Sequence, residues 1–519
     1  LSGDDPLRVF AMTPGRAHRL EVLWRSGARS VLEEVRANRL YEIHEPEAKT
    51  KQPVSPPTLT PIFQDVSSRL GHRHEQPPVD DFINDPLLPR RTSQAGPGVA
   101  WVDTDRDGWE DLAIEAEGGL QLFGNKAGRF KKMDDSPVVV PAWANPIETV
   151  ERVNGWAAAD LDGDGDADLA LATEWGPVRV FRNDDGQFTE RTDALGLADY
   201  RGWWNGVAMI DANNDGRLDI VATNWGRNSF YETLLREEGG ESRLALFVGD
   251  VDGNGTVEQL EAVRVGDRWL PVRDRHALEK GLPDLRSRFP VHAAMVKAGI
   301  EGIAGPAFER LKKMEVNQLD TTLFINHGDR FESVPLPMEV QLTPAFSVCV
   351  GDVDADGNDD LFFSQNFFAV RPEDPRNDAG TGLWLLGHGD GTFRALKPSE
   401  SGVRVYGEQR GAALADFDRD GRVDLVVTQN AAATRLFRNQ AETKGVRVSF
   451  GGEGEGVQAR LVYADGTKGP VRVVQSITQV LGAAKVAVAV EAAWPSARKT
   501  RVPLKPGQTE VVLTYPSEP

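Results

Sequence analysis

Cysteine is almost absent from this sequence: Cys349 is the single one among 519 residues. A disulfide within the chain is therefore excluded. The short apolar stretch around this residue, 346–350, predicts a small buried side chain in a strand.

The sequence also lacks a continuous apolar run long enough for a transmembrane helix. It starts at Leu1 with neither an initiator methionine nor a signal peptide. We therefore expect a processed protein or part of a longer polypeptide.

Positive charge is in deficit, because 59 lysines and arginines face 79 aspartates and glutamates, for a net charge of −20. No basic stripe offsets this balance, so nucleic-acid binding is not expected. The sequence contains no nucleophile motif, zinc-binding constellation or phosphate-binding loop. These absences predict that the protein is not an enzyme.

What the sequence does contain is one acidic loop written six times. In residues 160–168, acids occupy positions 1, 3, 5 and 9, and glycine occupies position 6. The other copies begin at Asp103, Asp211, Asp250, Asp352 and Asp416. Such a loop directs side-chain oxygens at one hard cation, and the glycine permits the sharp turn that this needs.

The ligand chemistry favours Ca²⁺, because carboxylates without thiols or imidazoles select against zinc and copper. Positions 1, 3, 5 and 9 hold 22 of the 79 acids. Six bound Ca²⁺ ions would bring the net charge to about −8. Much of the acidity is thus interpreted as ligand charge. The loops at Asp211 and Asp250 are the weakest, because Asn213 and Asn254 each replace an acid.

Two alternatives remain for these loops. They could be plain acidic turns, since Asp, Asn and Gly favour turns. The loop at Asp250 could instead be an EF-hand, because Glu258 stands at position 9 and Glu261 at position 12. The flanks of the loops are short and rich in valine, alanine and leucine, which favours strands on both sides.

The repeats organise the middle of the chain, residues 63–440. Each unit is predicted to contain a strand, the acidic loop, two further strands and a turn near asparagine or glycine, after which a phenylalanine opens the outer strand. Loop starts are 57, 51, 39, 102 and 64 residues apart. Units of four strands at this period are typical of propeller blades.

The fold class is therefore predicted to be all-β, a β-propeller of six or seven four-stranded blades flanked by small β-rich domains. The longest spacing contains a helical insertion at about 275–316, with helical patterns at 277–280, 293–298 and 306–314. It is either a packing cap or a partner-docking element. We expect residues 63–66 to supply a strand that closes the propeller.

The ends of the chain form the remaining domains. Residues 1–46 predict a small β segment with strands at 18–27, 30–35 and 40–44, and residues 47–62 predict a proline-rich linker. Residues 441–519 predict a second β domain. Leu23-Trp24-Arg25-Ser26 near the start and Ala493-Trp494-Pro495-Ser496 near the end occupy matching places, so the two ends look related.

These motifs resemble known families. The acidic loops with Asn-x-x-Gly-x-Phe turns resemble FG-GAP/VCBS repeats, the blades of integrin-α-type propellers. Residues 22–27 with 35–38, and 493–496 with 506–509, resemble the ASPIC/UnbV domain, although Ala497 stands where that domain usually has glycine. The combination is similar to the cartilage acidic protein family. The first copy resembles only the C-terminal end of its domain, so we expect the natural polypeptide to continue upstream.

The resemblance implies that Ca²⁺ is bound through side chains at positions 1, 3, 5 and 9 and through the backbone carbonyl at position 7. In this sequence up to six sites follow. They comprise Asp103, Asp105, Asp107, Trp109 and Asp111; Asp160, Asp162, Asp164, Asp166 and Asp168; Asp211, Asn213, Asp215, Arg217 and Asp219; Asp250, Asp252, Asn254, Thr256, Glu258 and, for the EF-hand alternative, Glu261; Asp352, Asp354, Asp356, Asn358 and Asp360; and Asp416, Asp418, Asp420, Arg422 and Asp424.

The leading functional hypothesis is a non-enzymatic, calcium-binding scaffold for protein–protein interaction or adhesion. We expect it to be secreted, periplasmic or on the cell surface, where Ca²⁺ is plentiful. A second hypothesis is glycan binding, with Trp203 and Trp204 as stacking surfaces in place of core packing. A third is a polysaccharide lyase or hydrolase that uses acids outside the loops.

Overall fold

The computed structural model describes residues 15–24, 28–37, 39–45, 60–77, 79–93, 96–105, 107–116, 119–133, 152–235, 243–451, 456–474, 476–495 and 498–515. The chain divides into two compact units, Leu1–Thr60 and Pro61–Pro519. Among the described residues, no helix combines the length and the apolar character needed to cross a bilayer.

The first unit contains an antiparallel hairpin of β1 (His18–Leu23) and β2 (Arg29–Val35). Inward and outward side chains alternate along β1, as expected of a strand with one covered face. The strand expected at 40–44 is wrong, because residues 39–45 form no strand.

The second unit begins with β3 (Phe63–Asp65) and then forms one sheet for each of the first two acidic loops. The first sheet contains β4 (Val99–Val102), β5 (Asp111–Ala116), β6 (Gly119–Lys126) and β7 (Arg129–Lys132). The second contains β8 (Val153–Ala159), β9 (Asp168–Pro177), β10 (Arg179–Asp184) and β11 (Gln187–Glu190), and β12 (Arg201–Trp203) also pairs with β9.

The third sheet is interrupted by a long insertion. It starts with β13 (Gly206–Ile210) and β14 (Asp219–Thr223). The insertion comprises α1 (Phe230–Leu235), β15 (Leu244–Gly249), β16 (Glu258–Val265), β17 (Arg268–Pro271), α2 (Arg275–Glu279), α3 (Leu285–Arg288), α4 (His292–Ala304) and β18 (Lys312–Val316). The third sheet then resumes with β19 (Thr322–Asn326), which pairs with β14, and β20 (Phe331–Pro335).

The acidic loop at Asp250 therefore belongs to a sheet nested inside another. Its strand order is β17-β16-β15-β18, because β18 returns to pair with β15. Helices α2 to α4 lie between β17 and β18 in the chain. The helical pattern at 306–314 is only partly correct, since residues 305–310 form a 3₁₀ turn and Lys312 opens β18.

Two more loop-bearing sheets complete the repeats. One contains β21 (Ala345–Gly351), β22 (Asp360–Gln365), β23 (Leu383–Gly387) and β24 (Phe393–Ala395), followed by α5 (Pro398–Ser401). The other contains β25 (Gln409–Ala415), β26 (Asp424–Gln429) and β27 (Arg435–Asn439). Its fourth strand is β3, so the start of the repeat region pairs with its end, and closure of a propeller by this strand stays a prediction.

The second strands β14, β22 and β26 are buried at every position. Both of their faces are covered by neighbouring sheets, which explains the three consecutive apolar residues at the centre of each strand. The first strands pack in series, β8 on β13, β13 on β21, β21 on β25 and β25 on β4. The nested sheet instead contacts β9 and β12 through β18. The fold is mostly β, and the number of propeller blades stays a prediction.

The C-terminal part of this unit is a sandwich of two small sheets. Its strands are β28 (Val446–Gly451), β29 (Gln458–Tyr463), β30 (Arg472–Val473), β31 (Thr478–Leu481), β32 (Ala487–Ala493), β33 (Lys499–Pro503) and β34 (Glu510–Thr514). The sheets β31-β28-β34 and β30-β29-β32-β33 enclose a core that includes Trp494.

The hairpins β1–β2 and β32–β33 share one local geometry. The Trp24 indole donates to Ser30 and the Trp494 indole to Thr500, both at 2.8 Å and both six residues ahead. The backbone N–H groups of Trp24 and Trp494 each donate to the carbonyl four residues ahead. These bonds support the relation between the two ends, although residues 25–27, 38, 496 and 497 of the ASPIC/UnbV resemblance lie outside the described residues.

Candidate metal centres

Each acidic loop connects the first and second strands of its sheet, so all six occupy equivalent places in a hairpin. The glycine at position 6 has a positive φ in every loop, from 81° at Gly108 to 102° at Gly165. A side chain is strained in that conformation. The loop at Asp250 is flanked by β15 and β16, so the EF-hand alternative, which needs flanking helices, is wrong.

Five of the six loops bring acidic oxygens to within 4.8 Å of one another. These metal groups are Asp103, Asp105 and Asp107; Asp160, Asp162 and Asp168; Asp250, Asp252 and Glu258; Asp352, Asp354 and Asp356; and Asp416, Asp418 and Asp424. Every donor is a carboxylate oxygen, which fits a hard cation such as Ca²⁺. The predicted ligands Asp111, Asp164, Asp360 and Asp420 are outside these groups.

The loop at Asp211 forms no such group among the described residues. Asn213 replaces one acid there, and the Asp215 carboxylate accepts from the Arg217 side chain at 2.5 Å. The Asp211 Oδ2 accepts from the backbone N–H of Val471 at 3.0 Å. The loop at Asp250 also has an asparagine in place of one acid, at position 5, but keeps three acids together.

The turn of each loop is held by the carboxylate at position 1. Its Oδ2 accepts from the N–H of the position 6 glycine at 2.9–3.1 Å in all six loops. In five loops the N–H of position 7 donates to the side chain at position 5. These position 7 residues are Trp109, Asp166, Arg217, Thr256 and Asn358. The metal role of their carbonyls, and of Arg422, stays a prediction.

The acid at position 9 ties the loop to the rest of its sheet. One oxygen accepts from the N–H of position 2 at 2.8–3.2 Å in all six loops. In five loops the other oxygen accepts from a backbone N–H in the third strand at 2.7–2.9 Å. The position 9 acid is therefore fixed in place before any cation binds.

Four asparagines at or near the ends of third strands were missed as positioning residues. Asn125, Asn183, Asn326 and Asn439 each donate from the side-chain amide to the carbonyl of position 8. Three of them also donate to a position 2 carbonyl in a neighbouring sheet, namely Phe417, Leu161 and Val353. The Asn-x-x-Gly-x-Phe pattern marked these residues, but only as turn formers.

Replacing Asn326 by alanine should destabilise the protein by about 2–4 kcal/mol, because buried carbonyls of Leu218 and Leu161 would lose their partner. Chemical denaturation in excess Ca²⁺ measures this change. Asn228, which is exposed and donates to the Leu342 carbonyl, provides the matched alanine control. Equal stability of the two variants would contradict a positioning role for Asn326.

Burial raises the pKa of several loop carboxyls. It brings the pKa of Asp168 and Asp211 to about 6 and that of Asp219, Asp352 and Asp416 to about 7. Burial likewise raises the pKa of Asp360 and Asp424. Desolvation disfavours the charged form, and neighbouring acids add to the effect. A bound cation would remove this cost.

Some loop acids already have arginine partners. Arg438 contacts Asp418 and Asp420 at 2.5 Å, and Arg422 contacts Asp420 at 2.7 Å. Arg182 forms an ion pair with Asp162. These arginines reduce the repulsion within the loops, and Asp418 and Asp162 remain in their metal groups despite the contact.

Through its described residues, the C-terminal sandwich contacts five of the six loops. Gln458 donates to the Asp160 carbonyl at 2.7 Å, Ser476 donates to Glu110 at 2.8 Å, and the Arg447 guanidinium lies 3.6 Å from Asp416. The Arg472 guanidinium pairs with Asp352 at 3.1 Å and also with Asp359. With the Val471 contact to Asp211, these bonds couple the sandwich to the loops of the first, second, third, fifth and sixth repeats.

Glu261 has a different role from the one suggested by its spacing. Its two carboxylate oxygens accept from the Tyr231 hydroxyl at 2.5 Å and from Arg273 at 2.7 Å. Arg273 also binds Asp374 at 2.7 Å. This buried network joins the nested sheet to the loop after β22, and Glu261 is not in the metal group of Asp250.

The aromatic pair proposed for glycan stacking is not at a surface. Trp203 and Trp204 are both 0% exposed. Trp203 packs edge-to-face on Trp175, Trp225 and Tyr231, and Trp204 on Phe324. Their role as stacking surfaces is therefore wrong. Cys349 is buried in β21, as expected, and burial raises the pKa of its thiol to about 12.

Comparison with known proteins agrees with this architecture. A family model described as FG-GAP-like repeat matches residues 103–171 and 160–222. Cartilage acidic protein 1 from Homo sapiens is 23% identical over 520 residues, covering 86% of this chain and 77% of that protein. The proteins of the same name from Xenopus tropicalis and Mus musculus are 27% and 22% identical and cover 56% and 82% of this chain, or 42% and 75% of their own lengths.

Proposed function

We propose that this chain, an FG-GAP-repeat protein similar to cartilage acidic protein 1, is a non-enzymatic, calcium-stabilised β-propeller scaffold that binds another protein. The observation that carries the proposal is the set of five metal groups at equivalent hairpin positions. Carboxylates crowded together in five equivalent hairpin loops are best explained as cation ligands.

The protein's own residues would prepare each site before calcium arrives. Position 1 holds the turn, and position 9 holds the hairpin to the third strand in all of the loops except the one at Asp250, so little ordering is left to occur at binding. Bound Ca²⁺ would supply the positive charge that cancels carboxylate repulsion. Position 7 carbonyls, such as that of Trp109, are proposed as further ligands.

Calcium would also support the C-terminal sandwich. Gln458, Arg472 and Arg447 of the sandwich contact the loops. A loop that is ordered by calcium would therefore hold in place the oxygens that these side chains contact. We propose that the end of the repeats that carries the acidic loops serves to stabilise the fold. Protein recognition is assigned to exposed surfaces elsewhere, including the helical insertion near Val291, which is well exposed.

The proposed location is outside the cytoplasm, as a secreted, periplasmic or cell-surface protein. Calcium at up to millimolar concentration fills sites of this kind there without dedicated transport. No catalytic role is assigned to the loop acids, because their oxygens are committed to backbone N–H groups and to the metal groups. The sequence-based alternative of a polysaccharide-active enzyme gains no support from this arrangement.

Counting bound calcium tests the proposal. Element analysis after equilibrium dialysis should find about five Ca²⁺ per chain, one for each metal group. Replacing Asp354 and Asp356 together by asparagine should lower the count by one. Asp465→Asn, in an exposed turn outside the repeats, should leave it unchanged.

Partner capture tests the second half of the proposal. Immobilised protein in Ca²⁺ should retain a specific extracellular protein, and the protein stripped with chelator should retain less. A calcium count near zero would overturn the metal sites, whereas a full count without any captured partner would overturn only the scaffold function.

A further inference from the structure

A cavity of about 430 Å³ opens at the end of the repeats away from the acidic loops. Residues at or near the beginning of the first strand of five sheets line it, namely Gly98, Gly155, Gly206, Ser347 and Gly411. The acidic loops follow the opposite ends of the same strands, which have four to seven residues. At about 3.3 Å per residue, roughly 10–20 Å separates the cavity from the metal groups.

The charge of the cavity is unusual for this protein. Its lining contains four arginines, Arg90, Arg91, Arg152 and Arg410, and two glutamates, Glu115 and Glu174, although the whole chain has a net charge of −20. A local excess of arginine in an acidic protein attracts anions. The volume of the cavity is within the range of about 300–1,000 Å³ that is typical of small-molecule binding sites.

Most of these charges already have partners. Arg90 pairs with Glu174 at 2.5 Å, Arg91 with Asp80 at 3.3 Å and Arg410 with Glu408 at 2.6 Å. The Glu115 carboxylate accepts from the N–H of Gly98 at 2.9 Å. These paired side chains line the cavity wall. They can orient a ligand by hydrogen bonds, but they add little net charge to the cavity.

Arg152 differs from the other three arginines. Among the described residues it has no carboxylate partner, and its guanidinium makes one long bond, 3.4 Å, to the Thr92 carbonyl. Its remaining donors have no partner among the described residues, and we assign them to a ligand. Arg410 adds a second unsatisfied donor, because its Nε has no partner among the described residues although Arg410 is only 5% exposed. An unpaired buried donor is costly, and an acceptor atom of a ligand in the cavity would satisfy it.

An aromatic ring stands at the same cavity. Trp156 is 59% exposed, whereas Trp175, Trp203, Trp204 and Trp225 are buried. A tryptophan exposed in a strand beside arginines provides a flat surface for a ring. A second cavity of about 220 Å³ adjoins the first, shares Arg90, Arg152 and Glu174 with it, and adds apolar wall from Leu246 and Met314.

We propose that this cavity binds a ring-bearing organic carboxylate. The carboxylate would accept from Arg152, in the two-pronged geometry that guanidinium groups favour, and from Nε of Arg410. The ring would lie on Trp156, and an apolar extension would reach towards Leu246. Acidic sugars and aromatic acids share this chemistry. The site goes beyond the scaffold function and does not depend on it.

Isothermal titration of the whole chain in Ca²⁺ tests the site with four probes. Glucuronate represents the acidic sugars and phenylacetate the aromatic acids, with glucose and 2-phenylethanol as their neutral counterparts. At least one carboxylate should bind, and its neutral counterpart should bind at least 10-fold more weakly. Whichever acid binds identifies the source of the ligand. Lack of heat with both acids, or equal binding of acid and counterpart, overturns the proposal.

Two variants locate the binding. Arg152→Gln and Trp156→Ala both change exposed side chains. Each should weaken binding of the carboxylate at least 10-fold without lowering the midpoint of thermal unfolding. Arg501→Gln and Tyr406→Ala remove an exposed arginine and an exposed aromatic ring elsewhere, and they should bind like the parent protein. Unchanged binding by Arg152→Gln or by Trp156→Ala would overturn the assignment.

Discussion

Removal of calcium is expected to lower the midpoint of thermal unfolding by more than about 10 °C. Each metal group places three carboxylates within 4.8 Å, and without a cation their repulsion opposes folding. A ligand that binds only the folded state stabilises it by about 4 kcal/mol at a thousandfold excess over its dissociation constant. Five such sites make this the largest effect that we predict.

The effect of calcium should grow with pH. Burial holds the pKa of Asp352 and Asp416 at about 7 in the folded, metal-free chain, against about 4 when unfolded. Between these values the folded state binds more protons than the unfolded state, so metal-free stability falls as pH rises from 4 to 7. Calcium binds the deprotonated acids. The midpoints with calcium and with chelator should therefore differ most near pH 8 and least near pH 5.

Differential scanning calorimetry with excess Ca²⁺ and with chelator measures both effects. Restoring calcium after chelation should restore the midpoint, which separates metal loss from irreversible damage. The Asp465→Asn variant should behave as the parent chain does, because its acid is exposed and outside the loops. If the midpoint is the same with and without calcium at pH 8, the metal interpretation fails.

Arg472→Met should destabilise the protein by about 3–5 kcal/mol, the usual result of removing one partner from a buried ion pair. The Arg472 side chain is 4% exposed and both of its carboxylate partners are 0% exposed. Asp359 would remain as a buried charge without a cation. Burial raises the pKa of this carboxyl while Arg472 lowers it, so loss of the arginine should raise the pKa of Asp359 further.

Limited proteolysis and urea unfolding check this second prediction. The sandwich should become sensitive to protease, because Arg472 is one of the contacts that couple it to the loops. Arg501→Met removes an exposed guanidinium 3.7 Å from Glu491 in the same sandwich, and we expect a change below about 0.5 kcal/mol. Adding Asp359→Asn to Arg472→Met should recover part of the loss. If Arg472→Met is as stable as Arg501→Met, Arg472 does not couple the sandwich to the loops.

The acidic loops could be predicted from sequence because their geometry is local. Nine consecutive residues set the spacing of the acids, and the glycine of position 6 adopts the positive φ that the pattern implies. The hairpins around them follow from apolar runs on each side. Even the pairing of β3 with β27 could be anticipated, since a repeat region that starts with a spare strand needs a partner for it.

The composition of the sites was less predictable. Asn213 replaces an acid in the loop that forms no metal group, whereas the acids of the Asp250 loop stay together although Asn254 replaces one of them. Glu261 stood at an EF-hand position and is instead bound to Tyr231 and Arg273. The spacing of acids along the chain does not show which other side chains donate hydrogen bonds to a given carboxylate.

The loops, their flanking strands and the carboxylate chemistry followed from the sequence, because each depends on residues that are neighbours in the chain. The nesting of one sheet inside another came from the fold, since β14 pairs with β19 about a hundred residues later. The fold likewise set the burial of Trp203, the exposure of Trp156 and the placement of Arg472 on Asp352. These contacts join distant segments, and their energies depend on burial and distance, which arise only when the chain is packed.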